Sequence, residues 1–468
     1  MKRLTTILGI FTLLLVSLSN AQQRWERTYG GTCNDYGYSV RQTSDGGYIV
    51  VGTTHSFGAG LSDVYLIKTN AAGDTLWKKT YGGRGNDYGS SVEQTTDGGY
   101  IVVGGSSSFS DTLWGDVLMI KTDSSGNTLW AKTCGGRYDD FGNSVHQTSD
   151  GGYIIAGYAR SFSNGNEDAY LIKTNSSGDT LWTKIYGGAS NDYAWSVQQT
   201  ADSGYILAGW TSSFGNGADD VYLIKTNATG GTLWMRTFGG VQCDFGFSVQ
   251  QTADGGYLIA GQTASFGGGY DDSYLIKTNA SGDTLWTRTY GFGRAFSSAA
   301  YSAQQTTDGG YIVAGHLGHD VYLVKANASG DTLWTQTYGG TDLDTGFSVQ
   351  QTSDGGYIVA GSTDSFGDSS QVYLIKTDAG GNSGVEESRQ GDKETRRQGE
   401  RPRATPNPFT YFATLPGHEA ERFSLYDVSG RKVGTFRGDR IGEGLAPGVY
   451  FLRSSNNKDM PLRIVKVR

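Results

Sequence analysis

Six aspartates recur at one place in a repeating sequence: Asp35, Asp87, Asp140, Asp192, Asp244 and Asp344. Five of them are followed at once by an aromatic residue, Tyr36, Tyr88, Phe141, Tyr193 or Phe245, and a phenylalanine stands 22 residues after each acid (Phe57, Phe109, Phe162, Phe214, Phe266, Phe366). Carboxylates beside aromatic faces could take a sugar or a cation. Asp side chains also bond nearby backbone amides in turns, and a recurring Phe can plug the gap between repeats. Features shared by nearly every unit read first as what the unit needs in order to fold, and only second as a site. A calcium loop would need several closely spaced oxygen ligands, as in an EF-hand run or a nonapeptide array, and neither pattern occurs. No cofactor is expected, with calcium as the weak alternative.

One stretch breaks the pattern. The connection from Gly291 to Tyr301 is two residues longer than its counterparts and lacks the acid, and the next long connection shrinks by six, to His316-Leu317-Gly318-His319. Arg294, His316 and His319 therefore join the six aspartates as binding candidates. Two histidines three apart hold a metal only with further ligands, none of which is in view, so no metal site is assigned. No catalytic residue is assigned either, because GxSxG, HExxH and P-loop patterns are absent. His146 occupies a position otherwise held by Gln, Glu or Arg and reads as exposed surface. No acidic pair stands out from the repeated carboxylates, which weakens a glycosidase reading. A binding or scaffold module is the leading expectation. An extracellular enzyme acting on polysaccharide, a hydrolase or lyase, is the alternative.

What must position these residues is a repeat. Trp25, Trp77, Trp130, Trp182, Trp234, Trp286 and Trp334 are separated by 52, 53, 52, 52, 52 and 48 residues. A period in that range marks a propeller or solenoid. Each unit contains four strand-like runs, in the first unit Tyr38–Thr43, Tyr48–Thr53, Val64–Thr69 and Thr75–Tyr81. An Asp-Gly turn joins the first pair and a short Gly-containing turn the second, so the unit is an antiparallel meander. In Val64-Tyr65-Leu66-Ile67 both faces are apolar. A sheet apolar on both faces must be covered on both, as stacked blades cover one another. The last unit lacks its outermost strand, and Arg24–Tyr29 stands alone before the first complete one. Pairing them would remove two open edges. The fold expected is all-β: a seven-bladed β-propeller over residues 22–382, closed by an N-terminal strand. With SVxQT innermost, the aspartates and the irregular loops share the face of the long connections, where function in such rings usually sits.

Composition agrees. The 468 residues include 72 Gly, 6 Pro and 29 Tyr, which suits many short strands joined by tight turns. A net charge of -8 argues against a nucleic-acid partner, which would want a basic stripe. Three cysteines at unmatched positions, Cys33, Cys134 and Cys243, make no disulfide framework.

The two ends differ from the middle. Residues 1–21 carry Lys2 and Arg3, an apolar run and a small-residue ending at Ala21, the pattern of a secretory signal peptide, and no later segment is apolar enough to span a membrane as a helix. Residues 383–403 mix acids and arginines without a strand or helix face and read as a solvated linker. Residues 404–468 return to strands, Arg422–Val428, Lys432–Phe436, Gly448–Arg453 and Leu462–Val467, and a small Ig-like β-sandwich is expected.

Four ordered motifs lie in that tail: Pro406-Asn407-Pro408-Phe409, Leu425 to Val433 (LYDVSGRKV), Leu445 to Tyr450 (LAPGVY) and Arg463 to Lys466 (RIVK). Together they resemble the C-terminal sorting domain of type IX secretion. The resemblance implies a partner, the type IX machinery, acting through residues 404–468, and export to the medium or the outer-membrane surface. An extracellular glycan or protein would be the further partner. The repeats resemble secreted propeller repeats often joined to such tails, a family without an assigned activity. The segment YLIKTNASGDTLW is similar to a blade hairpin of quinoprotein propellers, which implies a blade but no quinone pocket.

Overall fold

The computed structural model describes residues 24–384 except 111–113, 164–165, 269 and 292–295, and, in the tail, 422–427, 431–437, 441, 445–446, 448–454 and 462–466. The repeat folds into seven four-stranded antiparallel sheets. In the first, the strands are Asp35–Gln42, Tyr48–Thr54, Asp63–Thr69 and Thr75–Tyr81, in that spatial order. Gly46 closes the first hairpin at φ +82°, a conformation open to glycine, and Asp45 Oδ1 accepts from Gly47 N at 2.9 Å. Asn70 Oδ1 closes the other hairpin by accepting from Ala72 N and Asp74 N, each at 2.9 Å.

Ring closure takes the form expected. In the seventh sheet Trp25–Tyr29 lies beside Gln371–Thr377, with Trp25 paired to Lys376 and Tyr29 to Val372. Each innermost strand touches the innermost strands of both neighbouring blades, the first and seventh included. One apolar cluster fills each of the seven interfaces between blades. Across the closing seam, for instance, Tyr48 and Ile67 of the first blade pack with Trp25, Ile358, Val372 and Leu374 of the seventh. The second and third strands are thus buried on both faces, which is why their sequences do not alternate.

The recurring tryptophan acts between blades. Trp25 meets Tyr48 at 5.8 Å, edge on, and the same pairing recurs from Trp77–Tyr100 at 5.9 Å round to Trp334–Tyr357 at 5.9 Å. Such pairs contribute about 0.5–1.5 kcal/mol each beyond area burial. Within each blade a buried lysine of the third strand meets the aspartate of the first turn, as in Lys68–Asp45 at 2.9 Å and Lys376–Asp354 at 2.9 Å. All three cysteines are free thiols.

In the tail the described residues form one four-stranded antiparallel sheet, with Arg422–Asp427 between Lys432–Arg437 and Gly448–Ser454, and Leu462–Lys466 at the far edge. Phe423, Leu425, Ile441, Tyr450 and Leu452 make its core. A sandwich needs a second sheet, and among the described residues there is none, so the Ig-like form is not borne out. Among the described residues no helix is long and apolar enough to cross a membrane.

Candidate functional site: the wall of the central channel

The six aspartates are brought to corresponding places, and all are buried, at 0–1% exposure. Asp35 Oδ2 accepts from Gly31 N at 2.7 Å and Ser56 Oγ at 2.7 Å, and Oδ1 accepts from Thr54 Oγ1. Asp192 accepts in the same way from Gly188 N at 2.8 Å, Ser213 Oγ at 2.7 Å and Thr211 Oγ1. Asp87, Asp140, Asp244 and Asp344 likewise accept from Gly83, Gly136, Gly240 and Gly340 N at 2.8 Å. Each carboxylate ties the Gly-Gly entry of a blade to the long connection of that blade. In Asp35 and Asp192 both oxygens are occupied by the chain's own donors, which is the work of a turn clamp, whereas Asp244 Oδ1 is buried without a hydrogen-bond partner.

A second ring of acids escaped the sequence reading, although its signal, the final Asp of TxSFGxGxxD, recurs as plainly. Asp63, Asp116, Asp168, Asp220, Asp272 and Asp320 open the third strands. At four interfaces such an acid faces the clamp aspartate of the next blade across a glycine, as Asp220 and Asp244 do across Gly239. Burial raises the pKa of Asp63 and Asp220; the Ala59 and Asn216 amides oppose this, while facing Asp87 and Asp244 add to it.

His316 and His319 do not converge. His316 leans toward Tyr301, ring centroids 5.7 Å apart, and burial lowers its pKa against the pull of Asp271. His319 is exposed in a two-residue turn. Arg294 lies outside the described residues. Among the described residues no group of three or more His, Cys, Asp or Glu could hold a metal. The recurring Phe is not a plug between blades. Phe57 is 42% exposed and rests on Tyr65 of its own blade at 5.7 Å, because the long connection carries it outward over the third strand.

The positions that vary lie on the innermost strands. Every innermost strand carries a β-bulge after its third residue, as between Gly37 and Ser39 or Ala194 and Ser196. A bulge leaves one residue unpaired and re-aims its side chain. The bulged residues are Tyr38, Ser90, Asn143, Trp195, Phe247, Tyr301 and Phe347. The five aromatic ones follow one another round the ring. Trp195–Phe247, Phe247–Tyr301, Tyr301–Phe347 and Phe347–Tyr38 are 6.1, 5.1, 5.3 and 5.3 Å apart. Toward the long-connection face the arc continues through Phe245, Trp210, Tyr193, Tyr158 and Phe141, with Tyr193 and Trp210 stacked at 4.2 Å.

Nearer the other face, the variable residue of SVxQT is Arg41, Glu93, His146, Gln198, Gln250, Gln304 or Gln350. The glutamines reach across the interface: Gln198 Oε1 accepts from Gln251 N at 2.6 Å and Gln350 Oε1 from Gln42 N at 2.7 Å. Glu93 does the same for Gln147 N at 2.9 Å and also meets His146 Nδ1 at 3.2 Å. Burial would raise the Glu93 pKa, but His146, the Gln147 amide and the Arg41 charge hold it below the ordinary value. His146 is thus part of an inter-blade pair, contrary to its reading as plain surface. The channel wall carries charged or titratable side chains on blades one to three and amides on the rest.

No family model matches the chain, and no curated protein matches it. Solved structures similar to it include the WD40 domain of Neurospora crassa Pan2, at 9% identity over 76% of this chain and 96% of that one, with a TM-score of 0.44. Sqt1 from Chaetomium thermophilum is 9% identical over 77% of this chain and 98% of its own, with a TM-score of 0.46. YCF48 bound to D1 peptide is 10% identical over 77% and 96%, with a TM-score of 0.43. The strand order and the closing seam define the class here: a β-propeller.

Proposed function

We propose that this chain is a binding or scaffold propeller of the extracellular space, secreted or held at the outer-membrane surface, and exported through residues 404–468 by type IX machinery. The signal-peptide pattern and the four tail motifs support the export half. One observation carries the binding half: the bulged residue of the innermost strand varies between blades while the framework around it stays constant, and five of the seven copies are aromatic. Function on a repeat scaffold sits where the scaffold's own needs do not dictate the residue. The partner is an extracellular glycan or protein. The test is retention of the purified full chain on extracellular polysaccharides and surface proteins, with and without calcium. Retention that vanishes in Trp195→Ala supports the reading; no retention on any of them contradicts it.

A second reading, an enzyme acting on extracellular polysaccharide, is favoured by one feature. Arg41, Glu93 and His146 are charged or titratable groups confined to three adjacent blades, with Glu93 and His146 at 3.2 Å. A carboxylate and an imidazole in reach of each other could share acid and base work. Cleavage of a polysaccharide panel, lost in Glu93→Gln with binding intact, would favour the enzyme over the binding module.

A further inference from the structure

The two sides of the channel wall differ in chemistry at one level, and the difference points to a class of ligand. The bulge sets seven side chains at matching depth, one per blade. On blades four to seven and one these are rings; on blades two and three they are Ser90 and Asn143. None of the seven is ionised, so this level has no built-in partner for a charged ligand. A wall that is aromatic on one side and hydroxyl or amide on the other complements a molecule with an apolar face and a polar edge. A pyranose ring is such a molecule: its axial C–H groups present an apolar face, and its hydroxyls lie round the edge.

Trp195 is the ring best placed to act as a platform. It is 38% exposed, and Phe247 meets it edge on at 83°, which leaves the indole free of a stacked neighbour. On the adjoining blade, Asn143 is held beside Trp195 by donating Nδ2 to Ala194 O at 3.0 Å. The bland account of the arc is that five rings pack together to fill space. It does not explain why the largest of them is the most exposed, or why the filling stops at two adjacent blades.

We infer that the channel at the level of the bulges binds a neutral hexopyranose unit of a glycan, stacked on Trp195, with its hydroxyls toward Ser90 and Asn143. The inference rests on the binding reading above and adds the ligand class and the position of the site.

The experiment is a glycan array probed with the full chain, its Trp195→Ala and Asn143→Ala variants, and Phe214→Ala on the outer rim as a control. Thermal melts would verify that each variant folds. The expected result is binding to neutral hexose glycans, inhibited by free methyl hexosides, weakened about tenfold or more in Trp195→Ala and unchanged in Phe214→Ala. Glycan binding that survives Trp195→Ala overturns the channel site while the binding reading stands. A preference for sulfated or uronate glycans overturns the neutral class. Binding of an extracellular protein that is lost in Trp195→Ala, with a silent array, overturns the sugar and again leaves the binding reading in place.

Discussion

Lys68 and Asp45 meet at 2.9 Å, and the two ends of this ion pair live in different surroundings: the lysine side chain is 4% exposed and the aspartate 57%. The lysine also donates to Thr69 O at 2.9 Å, so its charge is satisfied within the blade that buries it. The pair recurs in every blade, from Lys121–Asp97 to Lys376–Asp354.

These pairs predict an acid limit to stability. Burial would raise the Asp45 pKa, but hydrogen bonds from Thr43, Lys68 and the Gly47 amide, with the Lys68 charge, hold it at about 2, and Asp97, Asp150, Asp202, Asp254 and Asp308 lie at about 2 as well. A carboxylate with a depressed folded pKa stabilises above its unfolded value and loses that contribution as pH falls. The melting temperature should therefore decline steeply from about pH 4 toward pH 2. In thermal melts across this range, a Tm that stayed flat would contradict the assignment.

The second acid ring predicts the opposite slope. Asp220 has a raised pKa because burial, and then the facing Asp244, disfavour its charged form. A raised folded pKa means that folding takes up protons, so stability falls as pH rises above the unfolded value of about 4. Asp220→Asn mimics the protonated acid and should stabilise at pH 8, with the gain shrinking toward pH 4. The seventh blade already carries an amide there: Gln371 sits where the others have Asp and donates to Gly31 O at 3.2 Å. Denaturant titrations of Asp220→Asn at both pH values would decide it.

Closure predicts that Trp25 matters beyond its own strand. It is 6% exposed, packs on Tyr48 of the first blade and donates Nε1 to Ala71 O at 3.1 Å. Trp25→Ala should cost about 3–5 kcal/mol. Removing residues 24–29 altogether would bare the edge of Gln371–Thr377 and promote association between copies. Equilibrium unfolding and light scattering measure the two effects; a truncated chain that stayed monomeric and equally stable would count against the seam.

The export reading predicts that a chain ending at residue 403 stays in the periplasm of a type IX-competent host while the full chain reaches the medium or the surface. Fractionation followed by immunoblotting tests this. Equal export of both forms would remove the role given to residues 404–468.

Much of the scaffold was legible because it repeats. The Trp spacing and the missing last strand together imply that the strand of Trp25 completes the last blade, and the structure adds the register, Trp25 opposite Lys376. The site was less legible, for a physical reason. A bulged residue has no partner in the ladder, so Tyr38, Ser90 and Trp195 follow no alternation and look like noise inside a conserved motif. The aspartates drew attention because they repeat, and they repeat because every blade needs the same clamp between its Gly-Gly entry and its long connection. Arg294 and His319 mark a loop change, whereas the pairing of His146 with Glu93 depends on two blades meeting and has no local sign.

The central claim is that binding resides in the varying ring of the innermost strands. The most direct measurement is the affinity of the full chain for immobilised neutral polysaccharide, compared with Trp195→Ala in the channel and Leu233→Ala on an exposed outermost strand. The account predicts a loss of about tenfold in the first variant and none in the second. Equal affinity for all three proteins would contradict it.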